Sequence, residues 1–177
     1  SKRYYYCKEA KDVYIDENIR IRPYPLSDKT NWRFDRPDHY ENDILIGIYH
    51  GPLNGVKTDL GFTFSEGRDI IEFECCSFLF AGDIHACFDY TKNGSKISVG
   101  NPIQQDFGEN TKKGMWLYEI ESRTSFRRQF IEIPNYFPYI TLKVGEEIPL
   151  LSEAKKVRFR IFSDSSYEDT QEYVKQL

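Results

Sequence analysis

The chain has 177 residues, a formal net charge of −4 and a pI of about 5.5. That length suits one domain that buries its own core, and the acidic balance argues against broad electrostatic binding to nucleic acid or anionic membrane. With 40% hydrophobic, 29% charged and 16% aromatic residues, 13 of them Tyr and 13 Phe against one Met, the composition is globular and favours strands, where rings pack on a pleated surface.

Short strands are expected at Tyr4 to Cys7 and Asp12 to Ile15. A strand with clean alternation follows from Asn18 to Arg22, with Ile19 and Ile21 on one face and Arg20 and Arg22 on the other. Pro23-Tyr-Pro25 is expected to end it. The polar run from Leu26 to Asn42 reads as a long loop carrying Trp32, Phe34, His39 and Tyr40. Asp43 to Tyr49 is apolar and β-branched, a buried strand, and Thr58 to Phe64 is expected to return after the Gly51 to Gly55 turn. Asp69 to Phe80 reads as one long strand with a bulge near Cys75-Cys76.

Cys87 to Val99 carries the strongest local signal. Asn93-Gly94 suits a two-residue type I′ turn, which would set Tyr90 opposite Ile97, Phe88 opposite Val99 and Asp89 opposite Ser98. Gly100 to Gly114 is a second polar loop. Met115 to Glu121, Phe126 to Ile133, Tyr139 to Val144 and Val157 to Phe162 are further strands. Ser165 with Glu168 forms a capping-box pattern for a C-terminal helix over about 166–177, with Tyr167, Thr170, Val174 and Leu177 on its apolar face.

These elements predict an all-β, mainly antiparallel fold: a single β-sandwich or jelly-roll-like domain over residues 1–177 with a short C-terminal helix. No apolar run is long enough to span a bilayer, so no membrane insertion is expected. Cys75 and Cys76 are awkward to bridge to each other, a bond from either to Cys87 is possible across a strand pair, and Cys7, Cys75, Cys76 and Cys87 are read as reduced thiols, which leans the chain to a reducing intracellular compartment.

Candidate chemistry is sparse. Glu-x-Glu occurs at Glu72/Glu74 and at Glu119/Glu121; on strands each pair would share a face, and two such pairs converging would suit a small glycoside hydrolase or a glycan-binding groove. Asp83-Ile-His85-Ala-Cys87 offers imidazole and thiolate to a metal such as Zn²⁺, but no second ligand cluster accompanies it. No nucleophile elbow or Gly-rich phosphate loop is present, so the reading leans away from an enzyme, and no cofactor is implied. The basic run Arg123 to Phe130, which Arg158 and Arg160 would extend if their strands were neighbours, reads as a cross-strand salt-bridge ladder rather than a nucleic-acid patch.

Aromatic residues in loops, Trp32, Phe34, Tyr40, Tyr136 and Tyr139, would give rigid contact area for recognising a protein partner. The leading expectation is therefore a non-enzymatic interaction domain, with a glycan as the alternative ligand. Asn135-Tyr-Phe-Pro-Tyr-Ile-Thr-Leu142 and the early alternating strand Asn18 to Arg22 resemble segments of the poxvirus host-range β-sandwich proteins, and the chain departs from that pattern elsewhere. The resemblance implies an intracellular viral protein that acts by binding a host factor.

Overall fold

The computed structural model describes residues 6–35, 42–58, 61–109 and 112–177. It is strand-rich, with one short α-helix. The strands are β1 (Val13–Asp16), β2 (Ile19–Tyr24), β3 (Ile44–His50), β4 (Phe78–Gly82), β5 (Cys87–Asp89), β6 (Lys96–Val99), β7 (Gly114–Ile120), β8 (Phe126–Glu132), β9 (Tyr139–Lys143) and β10 (Arg158–Phe162), followed by α1 (Tyr167–Val174). They form a six-stranded sheet in the order β1-β2-β3-β4-β6-β5 and two two-stranded sheets, β7-β8 and β9-β10.

The pairing departs from the mainly antiparallel expectation. β2, β3, β4 and β6 run parallel to one another, as do β9 and β10, while β1-β2, β5-β6 and β7-β8 are antiparallel. Strands covered on both faces read as continuous apolar runs, and Phe-Leu-Phe-Ala in β4 is such a run; Ile-Leu-Ile-Gly-Ile-Tyr in β3 is as apolar but leaves Ile48 exposed on the uncovered part of the sheet. The crossovers that parallel strands require are built here from loops and short 3₁₀ turns, at Leu26–Asn31 and Ile70–Phe73, instead of helices.

One face of the six-stranded sheet carries the main core. Tyr24, Leu45, Tyr49, Leu79 and Ala81 point into it, and the β3–β4 crossover closes over them with Leu53, Val56, Phe73 and Cys76. Each large apolar side chain buried this fully contributes about 1.5–3 kcal/mol. Gly47 sits in the middle of β3 because a Cβ there would come within 2.9 Å of both Cys76 Sγ and Leu79 Cδ1. The opposite face is covered at the β4-β6-β5 end by the β7-β8 hairpin, through Phe78 against Phe126 at 5.1 Å and Phe80 against Tyr118 at 4.9 Å.

Several local expectations are corrected. Asp69 to Phe80 is not one strand: Asp69 and Glu72 close a capping box that starts a 3₁₀ turn, and the chain becomes extended only at Phe78. The β5-β6 register is one residue from the type I′ expectation, with Phe88 opposite Ser98 and Asp89 opposite Ile97. The cause is a longer connection, held by Thr91 Oγ1 accepting the Lys96 N–H and Asn93 Oδ1 accepting the Ser95 N–H, in which Gly94 has φ +74°. A one-residue slip exchanges the two faces of a strand, so Phe88 faces the aromatic core side and Asp89 the hairpin side.

Pro23 lies within β2 rather than ending it, opposite Ile48 and beyond the end of β1, where its missing N–H breaks no ladder bond. Of the return expected over Thr58 to Phe64, residues 59 and 60 lie outside the described residues, and the remainder shows an isolated bridge, Lys57 to Thr63, and no strand. Ser166, not Ser165, caps α1, and Tyr173 is its buried residue; Tyr167, Val174 and Leu177 are exposed. Tyr4 lies outside the described residues, and Cys7 is in no strand.

Arg20 and Arg22 are buried on the core side of β2. Arg20 Nη1 lies 2.6 Å from Asp12 Oδ2, Arg20 Nε 2.9 Å from Asp43 Oδ2, and Arg22 Nε 2.7 Å from Asp12 Oδ1. A buried guanidinium needs such compensation, since an uncompensated charge inside a protein costs several kcal/mol.

Candidate functional site

The aromatic residues expected to recognise a partner separate into two groups. Trp32 and Phe34 pack at the rim of the core: Tyr24 contacts Trp32 edge-on at 5.7 Å and stacks on Phe34 at 5.6 Å, and Trp32 Nε1 donates to the Pro25 carbonyl at 2.9 Å. Arg68 lies 5.2 Å above the Trp32 ring and pairs with Glu72. Tyr40 lies outside the described residues.

Tyr139 belongs to a different surface, the outer face of β9 and β10, and Tyr136 stands in the segment just before β9. The parallel register places Tyr139 beside Arg158, Thr141 beside Arg160 and Lys143 beside Phe162. Alternation turns Leu142 inward to 6% exposure, while the Arg158, Arg160 and Phe162 side is exposed. Each cation on this face except Lys143 is seated on a ring. Lys155 lies 5.1 Å from the Tyr136 centroid, Arg158 4.8 Å from Tyr139, and Arg160 5.0 Å from Phe107 and 5.4 Å from Phe162. Phe107 meets Tyr139 edge-on at 5.1 Å, so Arg158, Tyr139, Phe107, Arg160 and Phe162 form one continuous surface, while Lys155 and Tyr136 stack in the segments that lead into β10 and β9.

Among the described residues, no carboxylate pairs with the charges on this face. Elsewhere Arg20, Arg22, Arg33, Arg68, Arg127 and Arg128 each meet a carboxylate. Among the described residues, Lys143, Lys155, Arg158 and Arg160 make no ion pair; Arg160 donates instead to Thr141 Oγ1 at 3.1 Å and to the Phe107 carbonyl at 3.4 Å. Tyr136, Phe137 and Phe162 are 41%, 52% and 52% exposed. Arg with aromatic side chains is the composition enriched where proteins meet partners.

Sequence reasoning found Tyr136 and Tyr139 but missed Phe107, Arg158 and Arg160 as members of the same face. The arginine alternation in β10 was visible, but its parallel pairing with β9 was not. Arg158 and Arg160 do not extend the Arg123 to Phe130 run, because β8 and β10 lie in different sheets. That run forms the expected ladder in part, with Arg127 Nε 3.2 Å from Glu119 across the β7-β8 pair, while Arg128 grips Asp89 with both Nη1 and Nη2, at 2.5 and 2.7 Å.

The Glu pairs take separate structural roles. Glu72 caps the 3₁₀ turn and binds Arg68; Glu74 ends that turn. Glu119 lies on the exposed face of β7, and Glu121 accepts from Ser125 Oγ at 2.9 Å. Glu72 and Glu74 are therefore not on a strand, and the shared-face geometry expected of them does not form.

His85 and Cys87 do come together, lining a cavity of about 230 Å³ with Asn101, Lys113, Trp116 and Phe130. Both are already engaged. His85 Nδ1 lies 2.6 Å from Glu109, and Trp116 Nε1 donates to Cys87 Sγ at 2.6 Å. Burial pushes the Glu109 carboxyl up, but hydrogen bonds from Asn101, Lys113, His85 and the Gln105 N–H outweigh it and hold the group at about 2. Burial pushes the Cys87 thiol up, which disfavours the thiolate a metal needs. Among the described residues, no group of three or more His, Cys, Asp or Glu side chains is arranged to hold a metal ion. No helix of the described residues is long and apolar enough to cross a membrane.

No protein-family model matches the chain. It is 30% identical over 142 residues, 77% of its length, to an uncharacterized protein, R555, of Acanthamoeba polyphaga mimivirus. The match spans about 10% of the length of that protein.

Proposed function

We propose that this domain is a non-enzymatic recognition module that holds a protein partner on the outer face of β9 and β10. Tyr136 and Tyr139 would supply the contact area, and Lys155, Arg158 and Arg160 the charge. The observation that carries this reading is the set of exposed cations seated on rings without a carboxylate partner, on a chain whose net charge is −4. The guanidinium groups of Arg158 and Arg160 are more weakly hydrated than an ammonium, so they lose less on desolvation against an acidic partner and gain direct pairing. Trp32 and Phe34 serve the core in this reading. The hairpin packed across the six-stranded sheet supports a sandwich-like scaffold for the domain. The match to about a tenth of a much longer viral chain supports a module that works as one part of a larger protein.

A glycan ligand has less support. The Glu residues that would serve it are held in a turn cap and in ion pairs, and the rings of the β9-β10 face already carry cations.

The test is recovery of partners from the source organism with matched variants. A partner retained by the wild type and by the hairpin variant Leu117→Glu, and lost by Tyr136→Ala and by Arg158→Glu/Arg160→Glu, supports the reading, provided circular dichroism shows every variant folded. Undiminished recovery by the face variants, or no partner for the wild type, contradicts it.

A further inference from the structure

The two edges of the β9-β10 ribbon are treated differently. On the β9 side, Gln104 takes the place of a neighbouring strand: its Oε1 accepts the Tyr139 N–H and its Nε2 donates to the Tyr139 carbonyl, both at 2.9 Å. Further along, the Lys143 N–H donates to Glu146 Oε2 at 2.8 Å, and the Lys143 carbonyl accepts the Glu146 N–H at 3.0 Å. The β10 side has no such cover. In a parallel pair each strand turns alternate residues toward its neighbour, and the Arg158 N–H donates to the Pro138 carbonyl while the Phe162 carbonyl accepts the Val144 N–H. Arg158, Arg160 and Phe162 therefore address β9, and the backbone groups of Phe159 and Ile161 point outward. Among the described residues these two have no hydrogen-bond partner.

We infer that β10 receives an extended acidic segment of the partner protein as an added strand, bonded to the backbone of Phe159 and Ile161, with alternate carboxylates meeting Arg158 and Arg160. This rests on the recognition reading above and names its partner chemistry. An added strand in register presents every second side chain to the same face. That face carries Arg158 and Arg160, flanked by Lys143 and Lys155, and the nearby acidic residues Asp106 and Asp164 make no ion pair with them. Charge on an edge strand is also a device that keeps copies of a protein apart. Three cations on one ribbon and a fourth, Lys155, shortly before β10, with rings beneath three of the four, go beyond what repulsion between copies requires. A nucleic-acid strand fits less well: it would meet the repulsion of a net negative chain, and it has no backbone pattern to match Phe159 and Ile161.

The experiment titrates the domain with four probes of similar length: an alternating Thr-Glu peptide, the alternating Thr-Gln peptide, an acidic peptide interrupted by proline, and a single-stranded DNA oligonucleotide. Binding is read by fluorescence anisotropy, and backbone amide exchange is followed at Phe159 and Ile161. The Thr-Glu peptide should bind and slow exchange at both amides. The Thr-Gln and proline-interrupted peptides should each bind at least about tenfold more weakly, and Arg158→Glu/Arg160→Glu should reverse the preference for Glu over Gln.

Equal binding of the proline-interrupted peptide would show charge attraction without strand addition and overturn the proposal. So would equal binding of the Thr-Gln peptide, tighter binding of the DNA, or protection of the two amides through self-association alone. If the peptides fail while Tyr136→Ala still loses the natural partner, strand addition falls and the recognition face stands. If Tyr136→Ala and the arginine variant both keep the natural partner, the face itself falls.

Discussion

The side-chain amide of Gln104 pairs with the backbone of Tyr139 in both directions, at 2.9 Å each way. The same side chain also donates to the Glu109 carbonyl at 2.9 Å and accepts from Asn135 Nδ2 at 2.9 Å. One buried residue thus ties the loop that carries Glu109 to the first residue of β9. Gln104→Ala would leave backbone groups of Tyr139 without their partners. It should lower the unfolding free energy by about 2–4 kcal/mol, read as a shifted urea midpoint. An unchanged midpoint would show that the ribbon is held by its packing alone.

Asp12 is the shared acceptor of Arg20 and Arg22, at 2.6 and 2.7 Å. Asp12→Ala takes the carboxylate from Arg22 and leaves Arg20 with Asp43; with those side chains 2% and 1% exposed, it should cost about 3–5 kcal/mol in chemical denaturation. Replacing Asp12, Asp43 and both arginines together by apolar residues should recover much of that loss, because the cost lies in the uncompensated charge.

Glu109 gives the chain a defined acid sensitivity. Its carboxyl lies at about 2 in the folded protein against an ordinary 4.5, so folding favours the ionised form. The resulting stabilisation is fully present above the ordinary value and is lost as pH falls from 4.5 toward about 2. Unfolding free energy measured across that window should fall more steeply for the wild type than for Glu109→Gln. Parallel curves would assign the acid sensitivity to other carboxylates.

Cys75 and Cys76 are adjacent, with their sulfurs 3.8 Å apart, yet they titrate in opposite directions. The Cys76 thiol, with help from the Tyr24 hydroxyl and the Arg22 charge, favours the Cys75 thiolate against burial and brings it to about 6, while Cys76 is pushed up. At neutral pH iodoacetamide should therefore modify Cys75 ahead of Cys76 and Cys87, as read by peptide mass spectrometry, and Cys87 should react only toward alkaline pH. Prior modification of Cys87 would contradict this order.

Much of the strand content was legible, because alternation and apolar runs are local signals: β2, β3, β7, β8, β9 and β10 fall within a residue or two of their expected positions. Strand direction was not. The apolar runs of β3 and β4 read as buried strands with no sign of direction, and without intervening helices the crossovers read as loops between antiparallel strands. The alternation in β2 was visible, but burial of its arginines depends on Asp12 and Asp43 from other segments. Asp69 to Phe80 misled because Ile-Ile-Glu-Phe alternates like a strand, whereas the Asp69–Glu72 capping box makes it a turn. Of the candidate site, Tyr136 and Tyr139 were legible as aromatics near a rigid Pro-bounded connection. Their arginine neighbours were not, since the β9-β10 pairing joins segments separated by a long irregular connection.

The central claim is that the β9-β10 face meets the partner. The most direct measurement is backbone amide exchange of the domain alone and in complex with the partner that co-purifies with it. Slowed exchange confined to Tyr136–Lys143 and Arg158–Phe162 is the predicted result. Slowed exchange at the exposed face of the β7-β8 hairpin, with β9 and β10 unchanged, would contradict it.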